Sequence, residues 1–142
     1  MAAGSYTFTI EQGSTVDFRI EYRDSNNLPV DLTRYQARMH IRPTITSTSL
    51  IAQLSSSRWP DGTGLNMTPV SSSLTLPKTS GSIGIYISAI SSSLFNFGDA
   101  YYDLEIRSGS GNTTYVKRIL EGKIKLKKEV TRWCHVILQI QI

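Results

Sequence analysis

The residues able to do chemistry are few and widely spaced. Asp103 and Glu105 lie two apart in Tyr101-Tyr102-Asp103-Leu104-Glu105-Ile106, where apolar and polar positions alternate. On a strand that spacing puts both carboxylates on one face, about 7 Å apart. A glycosidase uses two carboxyl groups at comparable separations. The plainer reading is a polar outer face, paired across a hairpin with Arg118 or a lysine. His40 and His135 are far apart in sequence. Cys134 and His135 are adjacent, so on a strand they point to opposite faces and cannot easily share one ion. No His, Cys, Asp and Glu cluster has metal-ligand spacing. Serine is abundant, but no Gly-Xaa-Ser-Xaa-Gly nucleophile turn occurs. Ser108-Gly109-Ser110-Gly111 reads as a hairpin tip without a following helix, so it offers no phosphate cradle. The expectation is a protein without enzymatic turnover, cofactor, metal or small-molecule substrate.

Two further groups bear on binding. Lys123, Lys125 and Lys127 alternate with Ile124 and Leu126, which gathers the lysines on one face of a strand. Such a face is usually solvated and discourages edge pairing; an acidic protein surface is the other reading, and nucleic acid is the weaker expectation for a net charge of only +4. Trp59, in Arg58-Trp59-Pro60-Asp61-Gly62, and Tyr101 are the aromatics able to touch a glycan. A lone loop tryptophan more often packs over the end of a sandwich.

The elements that must position these residues are strands. Serine and threonine make up roughly a quarter of the chain, and charged residues only 18%; threonine favours strands and serine favours turns. Tyr6, Phe8 and Ile10 alternate with threonine. Val16, Phe18, Ile20 and Tyr22 alternate with Asp17, Arg19, Glu21 and Arg23. Ala37, Met39 and Ile41 oppose Arg38, His40 and Arg42, and Pro43 ends that strand. Shorter strands are expected at Leu50, Ala52 and Leu54, near Leu65-Met67 and near Leu74-Leu76. Ile83, Ile85 and Ile87 form another, and Tyr102, Leu104 and Ile106 pair through a tight turn with Thr114 to Leu120. Gly122 is expected to mark a bulge or break before Lys123 to Val130. Asp31 is placed to cap one helical turn over Leu32-Thr33-Arg34-Tyr35. Ser88 to Leu94 is expected to make another, with Ile90, Leu94 and Phe95 facing inward. Seven to nine short antiparallel strands at such spacing predict an immunoglobulin-like β-sandwich, without the Cys-Trp-Cys signature. The expected core contains Phe8, Phe18, Ile20, Met39, Ile41, Ile85, Leu104 and Ile106.

A chain of 142 residues is long enough for one core without staples. Its single cysteine, Cys134, cannot close an internal disulfide, so folding does not depend on oxidation. No stretch approaches the ~20 apolar residues of a membrane helix, and the first residues lack the character of a secretion signal.

Several blocks follow one another in a recognisable order. They are Glu11-Gln12-Gly13, Val30-Asp31-Leu32-Thr33, Ala37 to Pro43, Tyr101 to Glu105, and Val116 to Arg132 ending in Glu129-Val130-Thr131-Arg132. This ordered set, from Tyr6 to Arg132, resembles a family of small all-β virion proteins from the tail tip or baseplate of tailed bacteriophages, related to immunoglobulin-like modules that seat receptor-binding proteins. The resemblance implies a structural protein assembled in the host bacterial cytoplasm into the virion, several copies in a symmetric assembly, with other virion proteins as partners. A carbohydrate- or receptor-binding sandwich touching the host surface is the alternative. The chain departs from the family at Arg34, where glycine is usual, and at Lys128, where proline is usual.

The third departure is a continuation past Arg132, so the chain divides into a sandwich over 1–132 and an apolar strand over 133–142. In that stretch Val136, Leu138, Ile140 and Ile142 alternate with Ile137, Gln139 and Gln141, with no charged Asp, Glu, Lys or Arg and no proline. A free strand of this kind is an aggregation hazard. The expectation is addition to another subunit, with Trp133, Val136, Ile137, Leu138, Ile140 and Ile142 as the interface; a final strand within its own sandwich is the alternative.

Overall fold

The structure is a computed structural model that describes residues 3–71, 73–109, 111–128 and 130. It is nearly all β. The strands are β1 (Gly4–Ser5), β2 (Phe8–Glu11), β3 (Val16–Glu21), β4 (Gln36–Arg42), β5 (Ala52–Ser55), β6 (Gly64–Asn66), β7 (Val70–Ser71), β8 (Leu74–Thr75), β9 (Ser82–Ile87), β10 (Asp99–Ser108) and β11 (Tyr115–Lys127). One short helix, α1 (Ala89–Ser93), joins β9 to β10.

Among the described residues the strands form two main sheets. The larger runs β1-β11-β10-β4-β5, with β2 also on β11. The smaller runs β3-β9-β6. Strand alternation decides what each sheet buries. Ala37, Met39, Ile41, Leu54, Leu104, Ile106 and Ile124 from the larger sheet meet Leu65, Ile83, Ile85 and Ile87 from the smaller in one core. Leu104 sits at its centre, opposite Met39 on one side and Leu120 on the other. The sandwich expected from the alternation is therefore present.

Several local expectations need correcting. Gly122 does not break the chain, because β11 runs unbroken for 13 residues. The bulge lies at Ile119 instead: Leu104 pairs with Leu120 but Glu105 pairs with Arg118. The extra residue turns both Ile119 and Leu120 inward. The sheets are not wholly antiparallel, since β1 and β2 both run parallel to β11. Gly122 marks that junction. A Cβ there would stand 2.0 Å from the Tyr6 carbonyl oxygen, so the glycine serves close backbone approach.

Residues 32–35 make a turn rather than a helical turn, closed by Tyr35 N donating to Leu32 O. Asp31 still accepts from the Thr33 amide at 2.9 Å and from the Thr33 hydroxyl. Ile90 and Leu94 do not pack inward; they are 61% and 73% exposed. Only Phe95 of that trio is buried. The helix turns its serines inward because they have partners there, as described below. Phe18 and Ile20 are only partly buried, and among the described residues β3 lies at a sheet edge. The expected C-terminal strand over 133–142 lies outside the described residues.

Candidate functional site

The outer face of the larger sheet carries the candidate site. Strand alternation sends Arg38, His40 and Arg42 outward from β4, and Tyr101, Asp103 and Glu105 outward from β10. Register then aligns them in rows. Arg42, Tyr101 and Lys123 make one; His40, Asp103 and Glu121 make the next; Arg38, Glu105 and Arg118 make the third. An acidic central pair is thus flanked at both ends by cations. Ser5, Thr7, Thr44 and Ile45 close the sides of a shallow concavity of about 610 Å³.

The carboxylates Asp103 and Glu105 share this face, as their spacing predicts. Arg118 Nε donates to Asp103 Oδ2 at 3.2 Å, and its Nη1 lies 3.6 Å from Glu121 Oε2. This cross-strand ion pair is the plainer of the two arrangements expected for the pair, and Arg118 bridges two carboxylates that register places opposite each other. Lys123 lies over the Tyr101 ring, 5.6 Å from its centroid. Lys125 faces Asp99 across the ladder, and Lys127 continues the exposed row. Ile124 between them is fully buried, so the three lysines do share the solvent face.

His40 is the member that sequence patterning underrated. Arg42 Nη2 lies 3.2 Å from its Nδ1. A guanidinium can only donate, so Nδ1 accepts and the ring proton sits on Nε2. That Nε2 is buried without a partner among the described residues. Burial, then Arg42 and Arg38, holds the His40 pKa below the usual 6.5, against a weaker opposing pull from Asp103 and Glu105. Arg42 itself donates to the carbonyls of Ser47, Thr48 and Ser49 at 3.2–3.3 Å. It pins the loop that presents Ile45, which is 77% exposed.

A second polar cluster lies at one end of the sandwich. Asp61 accepts from the Ser88 and Ser91 hydroxyls, each at 2.6 Å, and from the Thr63 amide at 3.0 Å. These donors hold its carboxyl well below the usual range, led by Ser88 and then Ser91. Ser88 also caps α1 through the Ser91 amide. Ser92 bonds the Gly13 amide and the Ser14 carbonyl, tying α1 to the turn after β2. The Ser88 and Ser91 hydroxyls are committed to the Asp61 carboxylate and that of Ser92 to the Ser14 carbonyl, so these serines fasten the end of the fold. Asp-Gly followed by serines 27 and 30 residues later carries no local signal for such a cluster.

Trp59 packs partly buried against the core, the plainer of its two readings. Gly109 adopts the left-handed φ of +80° expected of the hairpin tip. Among the described residues no group of three His, Cys, Asp or Glu could hold a metal ion, and no helix is long and apolar enough to cross a membrane. Trp133, Cys134, His135, Val136, Ile137, Leu138, Ile140 and Ile142 lie outside the described residues. No protein-family model and no curated protein matches the chain.

Proposed function

We propose that this protein is a structural component of a tailed-phage virion, at the tail tip, baseplate or a fibre attachment, and that it works by subunit assembly. The ordered blocks from Tyr6 to Arg132 motivate that reading. The observation that carries it is the outer face of the larger sheet. That face is broad and open, and its charges are fixed in three rows by strand register and by Arg118 and Arg42. A rigid patterned surface favours recognition of a complementary protein face, where charge sets orientation and rate more than affinity. The strand order gives further support. Sheets β3-β9-β6 and β11-β10-β4-β5 follow the sequence of connections used by immunoglobulin-type sandwiches, with β2 added beside β11.

Other virion proteins are the proposed partners, several copies acting in one symmetric assembly. Mass spectrometry and cryo-EM of purified particles test the reading. The expected result is stoichiometric protein in the particle, with density for the sandwich at the tail and the face of Tyr101, Asp103 and Arg118 against a neighbour. Absence from particles, together with glycan-array binding by the isolated protein, would favour the receptor-binding alternative instead.

A further inference from the structure

Among the described residues the smaller sheet has an open edge at β3. Among the described residues β3 pairs only with β9, and its other side is unpaired for six residues. The side chains along this edge are unusual for a sandwich core. Val16, Phe18 and Ile20 pack against the core yet are only partly buried, while their partners Ile87, Ile85 and Ile83 on β9 are fully buried. Tyr6, 48% exposed, lies beside Phe18 with ring centroids 5.9 Å apart. An apolar row with a bare backbone edge is one strand short of closure.

The described chain ends close to that edge. Gln12 N donates to Lys127 O at 2.8 Å, and Ser14 N bonds Glu11 O in the turn that leads into β3. Lys128 Nζ reaches Asn96 Oδ1 at 2.6 Å. So β11 finishes at the end of the sandwich where β3 begins. The segment that follows has the pattern a covering strand needs: Val136, Leu138, Ile140 and Ile142 alternate with Ile137, Gln139 and Gln141. Seven residues from 136 to 142 extend ~23 Å, and the six of β3 ~20 Å. Residues 128–135 supply a connection of up to ~26 Å.

We infer that residues 136–142 add to the outer edge of β3 in their own chain, parallel to it, as the fourth strand of the smaller sheet. The tetrad Val136, Leu138, Ile140 and Ile142 covers Val16, Phe18 and Ile20, and the glutamines face solvent. Tethering favours the chain's own edge over a neighbour's, because a short linker holds the segment at an effective concentration of about millimolar. The outer edge of β2 is as near, but its Phe8 and Ile10 are already buried, so it has no apolar row left to cover. The edge at β5 lies three strands from β11, on the far side of the larger sheet.

Disulfide mapping in the full chain tests this independently of any role in a virion. In a Cys134→Ser background, Arg19→Cys is combined in turn with Ile137→Cys, Gln139→Cys and Gln141→Cys. Thr9→Cys with Gln139→Cys probes the β2 edge. The expected result is one Arg19→Cys pair that oxidises within a single chain, seen as a fast-migrating monomer on non-reducing gels, and no bond from Thr9→Cys. Covalent dimer alone would mean that the strand is exchanged between copies, and would overturn the proposal. So would bonding at Thr9→Cys, or no bonding from any Arg19→Cys pair. Hydrogen exchange gives a second readout. In the full chain every other amide of Val16–Glu21 should exchange about tenfold or more slowly than in a chain ending at Arg132, while β5 stays unchanged.

Discussion

Gly122→Ala isolates the contact that joins the parallel edge strands to the sandwich. A Cβ at residue 122 would lie 2.0 Å from Tyr6 O, 2.8 Å from its carbonyl carbon and 3.2 Å from its nitrogen. All three are backbone atoms, so no side chain can swing aside and the segment at Tyr6 must move. That movement breaks the bond from Tyr6 N to Glu121 O and the 2.6 Å bond from the Tyr102 hydroxyl to Tyr6 O. Tyr102 is 4% exposed, and burial raises its pKa, so its hydroxyl stays a donor. One lost backbone bond costs about 1 kcal/mol, and a buried hydroxyl left without its acceptor about 1–3 kcal/mol. The expected loss is therefore about 2–4 kcal/mol, measured by urea unfolding. Gly98→Ala is the control, because a Cβ there meets nothing within 4 Å; it should change stability by less than about 0.5 kcal/mol. Tyr102→Phe should lose about 1 kcal/mol and combine with Gly122→Ala less than additively, since both remove the same bond. If Gly122→Ala matched Gly98→Ala, or added fully to Tyr102→Phe, the close-approach argument would be wrong.

Leu104→Ala, at the centre of the core, should cost about 2–5 kcal/mol in the same assay, and Phe18→Ala at the half-open edge only about 1–2 kcal/mol; equal losses would mean the β3 edge is as closed as the core. Asp61→Ala should cost about 1–2 kcal/mol at pH 7, discounted because Asp61 is exposed, by leaving the Ser88 and Ser91 hydroxyls unpaired. Its carboxyl is held below 3.8 in the fold, so this stability is present above pH 3.8 and disappears as pH falls through the folded value; the gap between the two proteins should close in acid. His40 has its pKa lowered from 6.5 by burial, Arg42 and Arg38, against Asp103 and Glu105. Its neutral ring is fully tolerated above pH 6.5, and the fold loses stability as pH drops below that value. Unfolding midpoints of His40→Gln should be flatter than wild type between about pH 7 and pH 5.

Strand content and the two faces of each strand were legible in the chain because alternation is a local property. Ala37, Met39 and Ile41 against Arg38, His40 and Arg42 needs only a period of two, and the structure keeps that division on β4. The same holds for Lys123, Lys125 and Lys127 around Ile124, and for Asp103 and Glu105 with Arg118 across the ladder. Other features misled for physical reasons. Ile90 on α1 and Leu94 just after it carry apolar side chains, but the inward positions of that helix are taken by serines, because Asp61, Gly13 and Ser14 supply hydrogen-bond partners far away in sequence. Gly122 has the composition of a bulge, but its cause is the backbone of Tyr6, 116 residues earlier.

By itself the sequence determined an all-β chain, the polar and apolar face of each main strand, and the residues that could share a surface. Those follow from side-chain alternation and turn chemistry within a few residues. Tertiary structure alone decided which strands are neighbours, that β1 and β2 join β11 in parallel, and where the bulge at Ile119 falls. It also decided that Asp61 gathers Ser88 and Ser91, and that among the described residues β3 is paired on one side only. Each depends on registering segments tens of residues apart, where the balance of core burial and backbone pairing is settled by the whole sandwich and not by any local pattern.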